Sequence, residues 1–155
     1  MTASQTDETS LTVRRTYDAP PERVWRAFTD PEQVDRWWGP DGFSTTTDEM
    51  DVRAGGHWRF VMVGPNGDEF QNRVAYEEVE EPGRLVYTHG SPDDPEQFRV
   101  TVTFDEGEAG GTDLTMEMRF PSSDDLDDAV EFGAVEGAAQ TLGRLAEHLS
   151  TEGAA

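Results

Sequence analysis

Three histidines, His57, His89 and His148, together with Tyr76 and Tyr87 and a few arginines and carboxylates on apolar-patterned strands, are the side chains with which this 155-residue chain could do chemistry. A metal site needs ligands converging within bonding distance. His57 falls on the strand face opposite Trp58, and His148 falls on the polar side of a terminal helix, so convergence is not expected and no metal is predicted. His89 shares a strand face with Leu85 and Tyr87 and is placed inward, where it, Tyr76 or Tyr87 could act as acid or base. An inward Arg53 or Arg73 would call for a carboxylate-bearing ligand, but alternation puts Arg73 opposite Val74, on a solvated face. Glu49, Glu69 and Glu136 would make general bases only if burial raised their pKa values; among 33 acids each reads first as surface charge. No nucleophile and base pattern, phosphate loop or nucleotide fingerprint occurs. Gly107, Gly110 and Gly111 belong to a hairpin and precede no helix. No cofactor is expected.

Apolar residues give the stronger signal. Trp58, Phe60 and Met62 alternate on one strand, Val74 and Tyr76 on the next, Tyr87 with His89 on another, and Met116 with Met118 on the last. Phe132, Val135 and Ala138 sit on the terminal helix, and Trp38 stands at the exit of a short one. Methionine adapts to irregular shapes, so this set predicts the lining of an apolar pocket; a filled core fits the same pattern.

The elements that must position these residues follow from periodicity. Val135, Ala138, Ala139, Leu142, Leu145, Ala146 and Leu149 recur at helical spacing, which predicts one helix over Ser123–Leu149, about 26 residues and roughly 39 Å long. Upstream, Leu11 to Tyr17 alternates as a first strand. Two short helices follow, the second capped by Asp30 with Pro31 at its first position and closed by Gly39 and Pro40. Then come strands from Phe43, His57, Glu69, Leu85, Phe98 and Leu114, with Asn66-Gly67 marking a hairpin. The predicted class is α+β: a curved antiparallel sheet of about seven strands wrapped around the terminal helix. Residues 11–150 form one domain between flexible tails at 1–10 and 151–155.

The chain has no cysteine, no signal-peptide pattern and no stretch of membrane-spanning length, which together predict a cytoplasmic protein. Its net charge is -21, and all 12 basic residues are arginine. Such a surface repels nucleic acid and anionic lipid, so neither is an expected partner. Acids cluster at Glu77, Glu78, Glu80 and Glu81, at Asp93 and Asp94, and at Glu106 and Glu108. With lysine wholly absent, this charge points to a halophilic, acidic proteome in which salt screens repulsion within about 3 Å at molar strength. Thermal stability is therefore expected to rise with added salt up to molar concentration; a flat or falling curve would remove the halophilic reading.

Val24, Trp25, Ala27, Phe28, Thr29, Pro31, Glu32, Trp37, Trp38, Gly39 and Pro40 form an ordered signature. It continues through Gly55, Gly56, Trp58, Phe60 and Met62, then Pro65 and Gly67, Arg84 and Leu85, and finally Gly137, Leu142 and Leu145. Over Leu11 to Leu149 the chain thus resembles the activator of heat-shock-protein-ninety ATPase homologue-like family, within the START-like, or SRPBCC, superfamily. The resemblance implies the helix-grip fold and a cavity that takes a small apolar molecule. It leaves open a polyketide cyclase or dehydratase type of enzyme and a co-chaperone type of interaction module, as monomer or homodimer. Many relatives have a tryptophan after the glycine that stands here as Gly137; Ala138 in its place implies a wider cavity. The founding co-chaperones carry a further amino-terminal domain with no counterpart in this sequence, which weighs against a chaperone partner.

Overall fold

The alternating segments pair into one antiparallel sheet in the computed structural model, which describes residues 2–5, 8–91 and 97–153. Its strands are β1 (Thr2–Gln5), β2 (Ser10–Tyr17), β3 (Ser44–Met50), β4 (His57–Val63), β5 (Glu69–Glu80), β6 (Arg84–Gly90), β7 (Phe98–Glu106) and β8 (Thr112–Arg119). They are ordered β1-β2-β8-β7-β6-β5-β4-β3, a meander from β3 to β8 with β2 beside β8. Helices α1 (Pro21–Thr29) and α2 (Pro31–Trp37) follow β2, and α3 (Ser123–Glu131) and α4 (Ala134–Gly153) follow β8. This is the α+β helix-grip arrangement expected, with the seven anticipated strands and one more. Asp93 and Asp94 lie outside the described residues.

The register places apolar side chains in continuous rows across the sheet. Val13 stands opposite Met116, Met116 opposite Val102, and Val102 opposite Leu85. A second row runs from Leu11 through Met118, Val100 and Tyr87 to Tyr76. α4 covers these rows with Leu142, Leu145 and Leu149, all buried. The Tyr17 hydroxyl donates to the Leu142 carbonyl at 3.0 Å, tying β2 to the helix. α1 and α2 close one end with aromatic rings: Phe28 meets Trp37 at 4.8 Å and Phe104 at 5.2 Å, both edge to face. α2 starts as its sequence dictates, Asp30 Oδ1 accepting from the Glu32 amide at 3.0 Å and Oδ2 from the Gln33 side chain at 3.2 Å.

Three expectations need correction. The tail predicted at residues 1–10 is in part a strand, since Thr2–Gln5 pairs with β2, Ala3 opposite Val13. A short polar segment gives no alternation signal, yet the open edge of β2 supplies it with backbone partners. The tail predicted at 151–155 is likewise helical as far as Gly153. The single terminal helix is two: Phe132 and Gly133 interrupt it, Gly133 adopting φ +92°, while the amides of Phe132 and Gly133 bond back to the Asp128 and Val130 carbonyls. A glycine in this left-handed conformation ends a helix and redirects the chain. Gly133→Ala should therefore lower the unfolding free energy by about 1–2 kcal/mol, read from urea midpoints. An unchanged midpoint would show that the bend does not require that conformation.

Candidate functional site

A cavity of about 240 Å³ lies between the amino-terminal half of α4 and the concave face of β6, β7 and β8, under the Gly39–Pro40 exit from α2. Its wall is almost wholly apolar. Among the residues predicted to line it, Trp38, Met62, Tyr87, His89, Met116, Met118 and Ala138 do so. Trp58, Phe60, Val74 and Tyr76 do not; they are buried in the core behind the wall. Trp58 stacks on Phe60 at 3.9 Å, and Trp38 stands edge-on to Trp58 at 4.8 Å, so Trp38 takes the surface that alternation assigned to those two rings. Val135 packs against the core away from the cavity. Phe132 is 92% exposed, because the bend at Gly133 removes it from the inward stripe of α4.

Other lining residues were not anticipated: Gly39, Pro40, Phe98, Val100, Ala134, Gly137, Thr141 and Leu142. Phe98 and Val100 carried a usable signal, since they alternate on the same face as Phe104. Gly137 and Thr141, one turn apart on α4, present little side-chain bulk to the sheet, which leaves the space open. The Thr141 hydroxyl is turned onto its own helix, donating to the Gly137 carbonyl at 2.8 Å. At the rim, Arg144 Nη1 donates to the Gly39 and Pro40 carbonyls at 2.9 and 3.1 Å and pins the α2 exit to α4. Gly39 has φ +103°, a conformation that side-chain-bearing residues rarely adopt, which favours glycine at this rim.

His89 is the cavity's one imidazole. Its ring lies 5.0 Å from Phe98, 5.8 Å from Phe60 and 6.3 Å from Trp38, and Nε2 is 3.1 Å from Asn72 Oδ1. Desolvation by this surround pushes its pKa down to about 4, so the ring is neutral near pH 7. Burial pushes the Tyr87 hydroxyl well above the usual phenol range, and burial followed by the neighbouring Tyr87 does the same to Tyr76. Both stay protonated.

The remaining titratable candidates stand away from the cavity. His57 faces Glu49 at 3.3 Å on the outer face, and the Glu49 carboxyl is held below its ordinary range, first by the Arg59 hydrogen bond and then by His57. Glu49 thus has the opposite of a base's raised pKa. Glu69 and Glu136 are exposed. Arg53 pairs with Asp51 at 2.7 Å in solvent, and Arg73 is half-buried on the outer face, its Nε enclosed without a partner among the described residues. His148 departs from expectation: it is buried, with Nε2 3.0 Å from Gln33 Oε1, because α2 covers the side of α4 that periodicity marked as solvated. Among the described residues no three metal-ligating side chains converge, and no helix is long and apolar enough to cross a membrane. A larger cleft of about 460 Å³ at the other end of α4, lined by Arg15, Asp18, Arg23 and Ser150 among others, is polar.

This geometry has close counterparts. The model of the family described as "Activator of Hsp90 ATPase homolog 1-like protein" matches residues 18–150. The chain belongs to that family. Among solved structures, protein Ms6760 from Mycobacterium smegmatis is 26% identical, with 98% of each chain covered and a TM-score of 0.89. Protein NE0264 from Nitrosomonas europaea is 27% identical, covering 96% of this chain and 98% of its own, with a TM-score of 0.87. CalU16 from Micromonospora echinospora is more distant in shape, 25% identical over 97% of this chain and 83% of its own, with a TM-score of 0.63. No curated protein matches the chain. Within the Activator of Hsp90 ATPase homolog 1-like family frame, the cavity occupies the interval between sheet and carboxy-terminal helix, with Ala138 on its helical wall.

Proposed function

We propose that this chain binds a small, largely apolar molecule in the cavity beneath α4 and does no chemistry on it. The observation that carries this reading is the cavity itself: about 240 Å³ of open space walled by Trp38, Met62, Phe98, Met116 and Met118. That volume lies just under the range typical for drug-sized ligands, and a wall of this composition favours an apolar occupant through desolvation. An enzymatic reading draws less support. Tyr76 and Tyr87 hold their protons far above neutral pH and His89 gives its proton up far below it, so none is poised to exchange one near pH 7.

Ala138→Trp tests the proposal. An indole at this position projects into the cavity, and overpacking of this kind costs about 1–3 kcal/mol of stability while leaving the fold. The neutral fluorophore N-phenyl-1-naphthylamine should bind the parent protein saturably and the variant at least tenfold more weakly, with far-ultraviolet circular dichroism unchanged. Equal uptake by both, or none by the parent, would overturn the reading. Native mass spectrometry of protein from its own host should show a small molecule carried by the folded chain.

A further inference from the structure

Within an apolar wall, the few polar atoms decide which apolar molecule is retained. Here the role of one of them, the His89 imidazole, is fixed by a neighbour. Asn72 donates its Nδ2 to the Phe70 carbonyl at 3.0 Å, which orients the amide so that Oδ1 faces His89 at 3.1 Å. Oδ1 only accepts, so Nε2 of His89 must carry the ring's proton. On a neutral imidazole the other nitrogen, Nδ1, is then an obligatory acceptor. It receives no hydrogen bond from the described residues and is not fully enclosed, and His89 is cavity wall. The arrangement is therefore a lone pair of fixed identity on the wall of an apolar pocket, backed by Trp38, Phe60 and Phe98, whose rings restrict any reorientation.

We infer that His89 is the specificity-determining residue of this cavity, selecting neutral molecules that present a hydroxyl or N–H to its Nδ1. The inference rests on the apolar-ligand reading above and sharpens it to a chemical class. A ligand lacking the donor leaves Nδ1 dry and unpaired, a penalty larger than the gain from one ordinary hydrogen bond. An anion is disfavoured twice. Its charge meets an acceptor, and Arg144 at the rim already spends Nη1 on the Gly39 and Pro40 carbonyls, in a chain of net charge -21. A simple ether or ketone brings no donor, so it leaves Nδ1 unpaired.

Four probes of one shape separate these claims: 2-naphthol, naphthalene, 2-methoxynaphthalene and 2-naphthoate, titrated at pH 7.5 against the intact chain by tryptophan quenching. The expected order puts 2-naphthol about tenfold tighter than naphthalene and 2-methoxynaphthalene, with 2-naphthoate weaker still. In His89→Phe, which keeps a ring but no acceptor, the preference for naphthol over naphthalene should fall to about onefold. Should that variant fail to fold, the parent series alone decides. Equal binding of the three neutral probes, or methoxynaphthalene matching naphthol, overturns the inference while leaving the apolar-cavity reading intact. If no neutral probe binds, that reading fails and the inference falls with it.

Discussion

Replacing Trp37 by alanine should lower the unfolding free energy by about 3–5 kcal/mol, the range for truncating a large ring in a packed core. Trp37 is fully buried, and its indole Nε1 donates to the Ala27 carbonyl at 2.9 Å across the α1–α2 corner. Its ring meets Phe28 and Trp38 edge to face at 4.8 and 5.5 Å. Truncation opens a void among these rings and leaves a buried carbonyl without its donor, two losses that add. Domains of this size are stable by only about 5–15 kcal/mol, so the variant should unfold at a far lower urea concentration. Trp37→Phe, which keeps the ring and loses the N–H, should recover more than half of the loss. A Trp37→Ala midpoint within experimental scatter of the parent's would show that the corner is not a determinant of the fold.

The second large effect is acid lability set by His89. Its pKa falls from an ordinary 6.5 to about 4 in the folded chain, because the protonated ring would be stranded among Trp38, Phe60 and Phe98. Below pH 6.5 the unfolded chain takes up this proton and the folded chain does not, so stability falls as pH drops toward 4 and this contribution levels off below that. The span corresponds to roughly 3 kcal/mol. Carboxylates titrate over the same interval, but they do so equally in a His89→Gln variant. The difference between parent and variant, measured by urea unfolding at constant ionic strength, isolates the imidazole. The two stability curves should diverge between pH 6.5 and 4, the parent losing more; parallel curves would mean that the ring is solvated in the native state.

What the sequence made legible was mostly local or periodic. The α2 cap was readable because Asp30, Pro31 and Gln33 sit within one turn of each other. The inward faces of β6, β7 and β8 were readable because alternation survives the acidic surface. The break at Gly133 was hidden because a lone glycine inside a helical pattern weakens a helix by about 1 kcal/mol without announcing a stop. The missing information was long-range. Trp58, Phe60 and Met62 share one face of β4, yet only Met62 reaches the cavity, since Trp38, just past the end of α2, covers the other two. Periodicity places His148 on the solvated side for the same reason, its cover being Gln33 on α2. Parity decides which way a side chain points; what arrives to meet it depends on how distant segments pack.

The aromatic corner has an optical consequence. All four indoles are enclosed, and Trp37, Trp38 and Trp58 stand 5.5 and 4.8 Å apart in sequence of contact. At such separations excitation transfers between rings, so a change at one ring is expected to alter the emission of its neighbours. Trp38 belongs to that array and is also cavity wall. A guest touching this single ring would change the light from the whole array, giving the molecule a built-in, label-free gauge of its own occupancy.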